Sequence, residues 1–192
     1  IAGCGFGELT ALLRGPLRCL FGGVHLLPFF DPIDGADAGF DPSYHARVDP
    51  RLGSWNDVAE LAAEIDIMAD LVVNHVSRSS PQFQDFAAQG SRSRFAELFL
   101  TRERVFPQGA SEAELHAIYR PRPGLPFSET VLANGERHHL WTTFTPSQVD
   151  IDVTHPLGRV YLDEIVQTFA AHGVRMVRLD AVGYAIKKPG TS

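Results

Sequence analysis

The spacing of apolar positions along this chain changes several times, and each change marks an element. Val24–Phe30 (VHLLPFF) is an unbroken apolar run ending in aromatics, which predicts a strand leading into the Gly/Asp-rich loop Asp31–Pro42. Asp70–His75 (DLVVNH) predicts a second strand. Val174, Met176, Val177 and Leu179, entered from Gly173, predict a third, read as a buried strand of a parallel sheet with Asp180 at its end. Ser54 and Asp57 have capping-box spacing for a helix through about Glu64. Pro156 suits a helix start, Leu157, Val160, Tyr161, Ile165 and Phe169 share one stripe, and Gly173 ends it. A weaker helical pattern over Leu9–Leu20 is interrupted at Gly15-Pro16. Strands alternating with helices predict an α/β fold with parallel pairing.

Between Ser77 and Thr154 this rhythm stops. Short helical patterns (Pro81–Gln89, Phe95–Leu100, Ser111–Ala117) alternate with Pro/Gly turns, and one strand pair is expected around Glu129–Phe144. A stretch this long without the parent rhythm reads as a small inserted subdomain. The expected organisation is a first segment over 1–76, the insertion over 77–154 and a continuation over 155–192. Repeats and low-complexity tracts are absent from the sequence.

Composition narrows the function classes. With 192 residues, 44% of them hydrophobic, the chain can bury a sizeable core. A formal net charge of −6 without a Lys/Arg cluster argues against nucleic acid. Apolar runs fall short of the ~18 residues of a membrane span. Cys4 and Cys19 fit no metal or redox spacing, so a reducing, cytoplasmic setting is expected. Because the chain opens at Ile1 and stops soon after its most informative motif, it reads as a fragment, and the question of an upstream signal segment stays open. Motifs of serine hydrolases, zinc proteases, P-loop and dinucleotide-binding proteins are missing; Gly3–Gly7 (GCGFG) follows no predicted strand. The neighbours His138 and His139 would point apart on a strand, which disfavours a metal site.

Four segments carry candidate chemistry. Arg178 and Asp180 lie two residues apart on one strand and so on one face, and an arginine favours the ionised form that a nucleophile requires. Asn74-His75 follows a predicted strand; a histidine there is commonly a structural hydrogen-bond partner, but it could also hold a substrate hydroxyl. The loop Asp31–Pro42 (DPIDGADAGFDP) supplies four acids and Phe40, and its spacing fails the calcium-loop template. Carboxylates and an aromatic ring suit a polyol, the acids accepting hydroxyl hydrogen bonds while the ring covers an apolar sugar face. Gln148–Asp152 (QVDID), taken alone, is an ordinary polar strand end.

Taken together, these segments resemble the sucrose phosphorylases of the α-amylase family, glycoside hydrolase family 13. DLVVNH, VDID and VRLDAVGY match the blocks of the family. GADAGFDP, RLGSW (Arg51–Trp55), YRPRPGLPF (Tyr119–Phe127), FTPSQVDID (Phe144–Asp152) and LDAVGYAIKKPGTS (Leu179–Ser192) suggest the subtype. Gly183-Tyr184 stands where many amylases carry a Lys-His pair, which weakens a starch-hydrolase reading.

The resemblance implies part of a (β/α)8 TIM barrel with an inserted small subdomain, the first barrel strand lacking at the N-terminus. It implies retaining transfer of glucose from sucrose to inorganic phosphate without metal or organic cofactor. Asp180 matches the nucleophile and Arg178 the arginine that orients it. Asp37 and His75 match glucose-hydroxyl contacts, Phe40 a platform for the glucosyl ring, and Gln148 a pocket residue. Tyr119 and Arg122 match a loop near the acceptor, fructose or phosphate. Strand ends of a barrel share one rim, so Asp37, Phe40, His75, Arg178 and Asp180 are expected in one pocket. The acid/base glutamate and third carboxylate of the family would follow Ser192, so the piece alone is expected to be inactive and its open sheet edge-exposed. Sucrose and inorganic phosphate are the expected partners, without nucleic acid or membrane, and a homodimer of the full-length enzyme is allowed for. Competing readings are a related phosphorylase or α-glucosidase with another acceptor, and a non-catalytic sugar-binding protein on the same fold.

Overall fold

The computed structural model describes residues 5–35 and 37–190. Gly3, Cys4, Ala36 and the closing Thr191-Ser192 of the motifs above lie outside the described residues. In chain order the first elements are α1 (Phe6–Arg14), β1 (Gly23–Leu26), β2 (Phe30–Asp31), β3 (Tyr44–Val48), α2 (Trp55–Ala62) and β4 (Asp66–Val72). Then come β5 (His75–Ser77), α3 (Pro81–Gln89), α4 (Arg102–Val105), α5 (Glu112–Ala117), β6 (Phe127–Val131), β7 (Arg137–Trp141) and β8 (Gln148–Asp150). α6 (Pro156–Ala171) and β9 (Val174–Asp180) close the run. The chain divides into two compact units, Ile1–Leu71 with Tyr161–Asp180, and Val72–Val160 with Ala181–Ser192.

The first unit is built on a three-stranded sheet of order β1-β4-β9. β1 and β4 pair in parallel from Gly23↔Asp66 to Leu26↔Ala69. Parallel neighbours need a crossover, and helices α2 and α6 precede β4 and β9 in the chain. The capping box starts α2 as its spacing requires, the Asp57 carboxylate accepting from the Ser54 backbone N–H at 2.7 Å and from its hydroxyl at 2.6 Å. Val58 and Leu61, three apart on one helix face, are fully buried. Phe29, Phe30, Trp55 and Phe169 pack an aromatic core, with the Phe30 and Phe169 rings stacked at 5.8 Å. Gly173, at φ +80, turns the chain from α6 into β9; a Cβ there would lie 2.8 Å from that of Ala62.

Four expectations are corrected here. The Leu9–Leu20 helix is instead Phe6–Arg14, ended at Gly15, whose N–H bonds the Ala11 carbonyl. The Val24–Phe30 strand breaks after Leu26, since Pro28 has no N–H for the ladder, and Phe30 pairs with Val48 in the antiparallel β2–β3 pair. DLVVNH is not one strand: β4 starts earlier, at Asp66, and ends at Val72, while His75 opens β5, antiparallel to β8. Finally, β9 is not buried: Met176, Val177 and Leu179 are 43%, 39% and 50% exposed. β9 is an edge of its sheet among the described residues, so β4 alone flanks it there.

The second unit consists of two antiparallel pairs and short capped helices. β5 pairs with β8 from His75↔Asp150 to Ser77↔Gln148, and β6 with β7 from Phe127↔Trp141 to Val131↔Arg137. Ser80 and Ser111 cap α3 and α5, each hydroxyl accepting a backbone N–H three residues on. Phe83, Phe86 and Phe99 meet ring to ring, and Leu98, Leu140 and Ile151 are buried with them in this unit's core. Gly158 lets the first turn of α6 approach the preceding loop, because a Cβ there would sit 2.1 Å from the Asp152 carbonyl oxygen.

Candidate active site

Within the first unit, the strand ends gather charge. Arg178 and Asp180 point the same way on β9, as the two-residue repeat requires, with Nη2 of the arginine 3.2 Å from Oδ1 of the aspartate. The other guanidinium nitrogen, Nη1, donates to Oδ1 of Asp70 on β4 at 2.5 Å. Oδ2 of Asp70 in turn meets Nε2 of His25 on β1 at 3.0 Å. A line of four polar side chains thus crosses the three strands. Asp70 is fully buried, whereas the Asp180 side chain is 19% exposed. The Asp70 hydrogen bond is the main influence holding Arg178 charged, with Asp180 adding to it. The guanidinium also lies 5.7 Å from the centre of the Phe40 ring. Phe40 follows a tight turn in which its N–H bonds the Asp37 carbonyl at 3.1 Å.

Within the second unit, β5 and β8 bring His75 and Gln148 together. The Gln148 Nε2 amide donates to Nε2 of His75 at 3.1 Å, and its Oε1 accepts from the Thr145 hydroxyl at 2.9 Å. Both residues are buried. The Phe144 ring meets that of His75 at 5.3 Å and that of Tyr184 at 5.2 Å; Tyr184 stacks on exposed Tyr119 at 5.9 Å. Burial, followed by the neighbouring Tyr119, pushes the Tyr184 phenol up. Arg122 lies instead along a separate cavity of about 130 Å³, with Arg120, Phe127 and Thr145 also in its wall.

A second aspartate near this group is fully occupied. Asp150 is buried and accepts from the Thr143 N–H at 3.0 Å and the Thr143 hydroxyl at 2.5 Å. The Lys187 ammonium donates to Asp150, to the Asn74 side-chain oxygen and to the Tyr184 carbonyl. Burial lowers the Lys187 pKa and Asp150 opposes that shift. Three oxygens that could have faced a cation are served by a side-chain ammonium, and among the described residues no His/Cys/Asp/Glu cluster suited to a metal appears.

Of the residues picked out from sequence, Phe40, Arg178 and Asp180 meet in the first unit, with Asp37 on the Phe40 turn. His75 and Gln148 meet in the second, and Tyr119 joins their aromatic neighbours. His25, Asp70 and Lys187 escaped attention. Asp70 did carry a signal, a carboxylate interrupting the apolar run MADLVV. The pairing of His25 with Asp70 depends on the β1–β4 register, which no local pattern reveals.

Parallel strands joined through helices, in a sheet of order β1-β4-β9, are part of an α/β barrel. Residues 20–191 match the alpha amylase catalytic-domain family, and the chain belongs to that family. It is 60% identical to the sucrose phosphorylase of Agrobacterium vitis over 192 residues, covering all of this chain and 39% of that protein. Against the sucrose phosphorylase of Bifidobacterium adolescentis the identity is 53%, over 96% of this chain and 36% of the relative. The crystal structure of sucrose 6F-phosphate phosphorylase from Thermoanaerobacter thermosaccharolyticum superposes with a TM-score of 0.90 at 38% identity, over 97% of this chain and 39% of that one. This chain therefore spans about two fifths of the length of these relatives. Among its described residues no helix is long and apolar enough to cross a membrane.

Proposed function

We propose that the full-length protein containing this chain transfers glucose from sucrose to inorganic phosphate, giving α-D-glucose 1-phosphate and fructose. The observation that carries this reading is the Arg178–Asp180 pair at the end of β9, in a chain 60% identical to a sucrose phosphorylase. An Asp180 oxygen attacks the anomeric carbon, and the bond from that carbon to the fructosyl oxygen breaks. The leaving oxygen takes its proton from the family's acid/base glutamate. Phosphate oxygen then displaces Asp180, so two inversions retain the configuration. Arg178 orients and ionises the nucleophile, and Phe40 offers its ring to the glucosyl face. Asp37 and His75 bind glucose hydroxyls and Gln148 fixes the His75 ring. Tyr119 and Arg122 serve the acceptor. Residues 77–154 are the inserted subdomain of this barrel. The enzyme's partners are sucrose and phosphate and its expected setting the cytoplasm; light scattering on the purified full-length protein checks whether it forms a homodimer.

The test is phosphate dependence. Purified full-length enzyme with sucrose should form α-glucose 1-phosphate, resolved by phosphorus NMR, only when phosphate is present. Fructose release at equal rates without phosphate would contradict phosphorolysis and point to a retaining glucosidase. Turnover confined to sucrose phosphorylated on its fructosyl part would move the assignment to another leaving group.

A further inference from the structure

Asp70 is a buried carboxylate with two strong donors, one at each oxygen: His25 from β1 and Arg178 from β9. Arg178 is itself divided, giving Nη1 to Asp70 and Nη2 to Asp180. One guanidinium therefore serves two carboxylates, and His25 decides how much of it Asp70 needs. We propose that His25 is a positioning residue for Asp180, acting through Asp70 and Arg178. The inference rests on the reading of Asp180 as the nucleophile.

The argument follows from hydrogen-bond supply. A buried carboxylate oxygen left without a donor carries its full desolvation penalty, and the nearest compensation is a bidentate fork with an arginine. With His25 in place, Oδ2 of Asp70 is already satisfied and Arg178 binds through one nitrogen. Without His25, the guanidinium rotates to give both nitrogens to Asp70, and Asp180 loses Nη2. Two consequences follow for the nucleophile. Its carboxylate loses the guanidinium contact at Oδ1, so attack on the anomeric carbon is misdirected. Its ionised form also loses a charge-assisted hydrogen bond from Nη2, so the acid limb of the rate profile moves to higher pH. The charged groups along this line are His25 on β1, Asp70 on β4, and Arg178 and Asp180 on β9. Asp37 belongs to the turn that places Phe40 against Arg178. A merely structural His25 would change stability and leave both consequences out.

Gln can place its amide nitrogen near the position of the histidine Nε2; Asn is too short and Phe has no donor. His25→Gln, His25→Asn and His25→Phe in the full-length enzyme are compared with wild type for kcat, KM for sucrose, thermal midpoint and the pH dependence of kcat/KM. His25→Phe and His25→Asn should lose about 10–100-fold in kcat, the scale of a misplaced reacting group. KM should change little and the acid limb should shift upward, while His25→Gln stays within about threefold of wild type on the same reasoning. Equal kcat in all three variants, no difference between Gln and Asn, or an unmoved acid limb would overturn the proposal. If the Phe variant does not fold, the Gln-against-Asn contrast decides alone. Asp180→Asn is run beside them: if it stays active, the nucleophile reading fails; if it is dead while the His25 variants are normal, only the role of His25 fails.

Discussion

Asp150 and Asp180 are both strand-end aspartates with a cationic neighbour, yet they differ in burial and in how the cation is shared. Asp150 is wholly buried and meets a backbone N–H, a hydroxyl and an ammonium. Its partner Lys187 is only 8% exposed. Asp180 is reached by solvent and shares its arginine with a deeper carboxylate that has the stronger hold. A carboxylate saturated with donors in a dry site serves stability. One at an accessible strand end, oriented by part of a guanidinium, has what the proposed nucleophile needs. The same residue type with the same kind of neighbour thus separates by burial and by how the cation is divided.

The contrast breaks most sharply under substitution. In the full-length enzyme, Asp180→Asn keeps the shape and removes the attacking charge, so kcat should fall by orders of magnitude with the thermal midpoint nearly unchanged. Near-normal activity would equate the two aspartates. Lys187→Met should do the reverse at the level of the fold. It strands a buried carboxylate, at a cost of about 3–5 kcal/mol in denaturant unfolding. Adding Asp150→Asn to it should recover part of that loss, because the amide no longer needs a cation. A double variant as unstable as the single one would show that Asp150 is not the group left unpaired.

The aromatic core of the first unit offers a comparison free of charge. Phe169 is buried against Phe30 and Trp55, and Phe169→Ala should cost about 3–5 kcal/mol through lost contact and cavity. A cost under about 1 kcal/mol would mean that the site collapses around the gap.

The smallest effect is in acid. Glu136 accepts from the Ser91 backbone N–H first of all, with His138, the Ser91 hydroxyl and Asn134 adding, and is held at about 2 against an ordinary 4.5. A lowered carboxylate contributes stability above its unfolded value, and that contribution fades as pH falls from 4.5 through about 2. Glu136→Gln should lower stability by a constant amount between pH 6 and 8 and bring the two curves together as pH falls through this window. Curves that stay parallel through the window would remove Glu136 from the account.

What was legible in the sequence was local. Ser54 and Asp57 announce their cap, Pro156 and Gly173 bound α6 closely, and Arg178 with Asp180 follows from a strand's two-residue repeat. What stayed hidden depended on partners distant in sequence. β4 ends inside the apolar run Leu71–Val73, and His75 opens a separate strand because β5 turns to pair with β8. The exposure of Met176, Val177 and Leu179 depends on what flanks β9, which their own pattern does not encode. His25 joins the site only through the parallel register of β1 on β4, and Lys187 only by returning to Asn74 and Asp150, 113 and 37 residues away.

The central claim, that Asp180 bonds to glucose, is tested most directly by trapping the bond. The full-length enzyme is incubated with a fluorinated glucosyl donor that forms the covalent intermediate quickly and releases it slowly, then digested and mapped by mass spectrometry. The account predicts one glucosyl label, on the peptide carrying Asp180 and absent from the Asp180→Asn enzyme. A label on another carboxylate, or rapid turnover without any label, would contradict it.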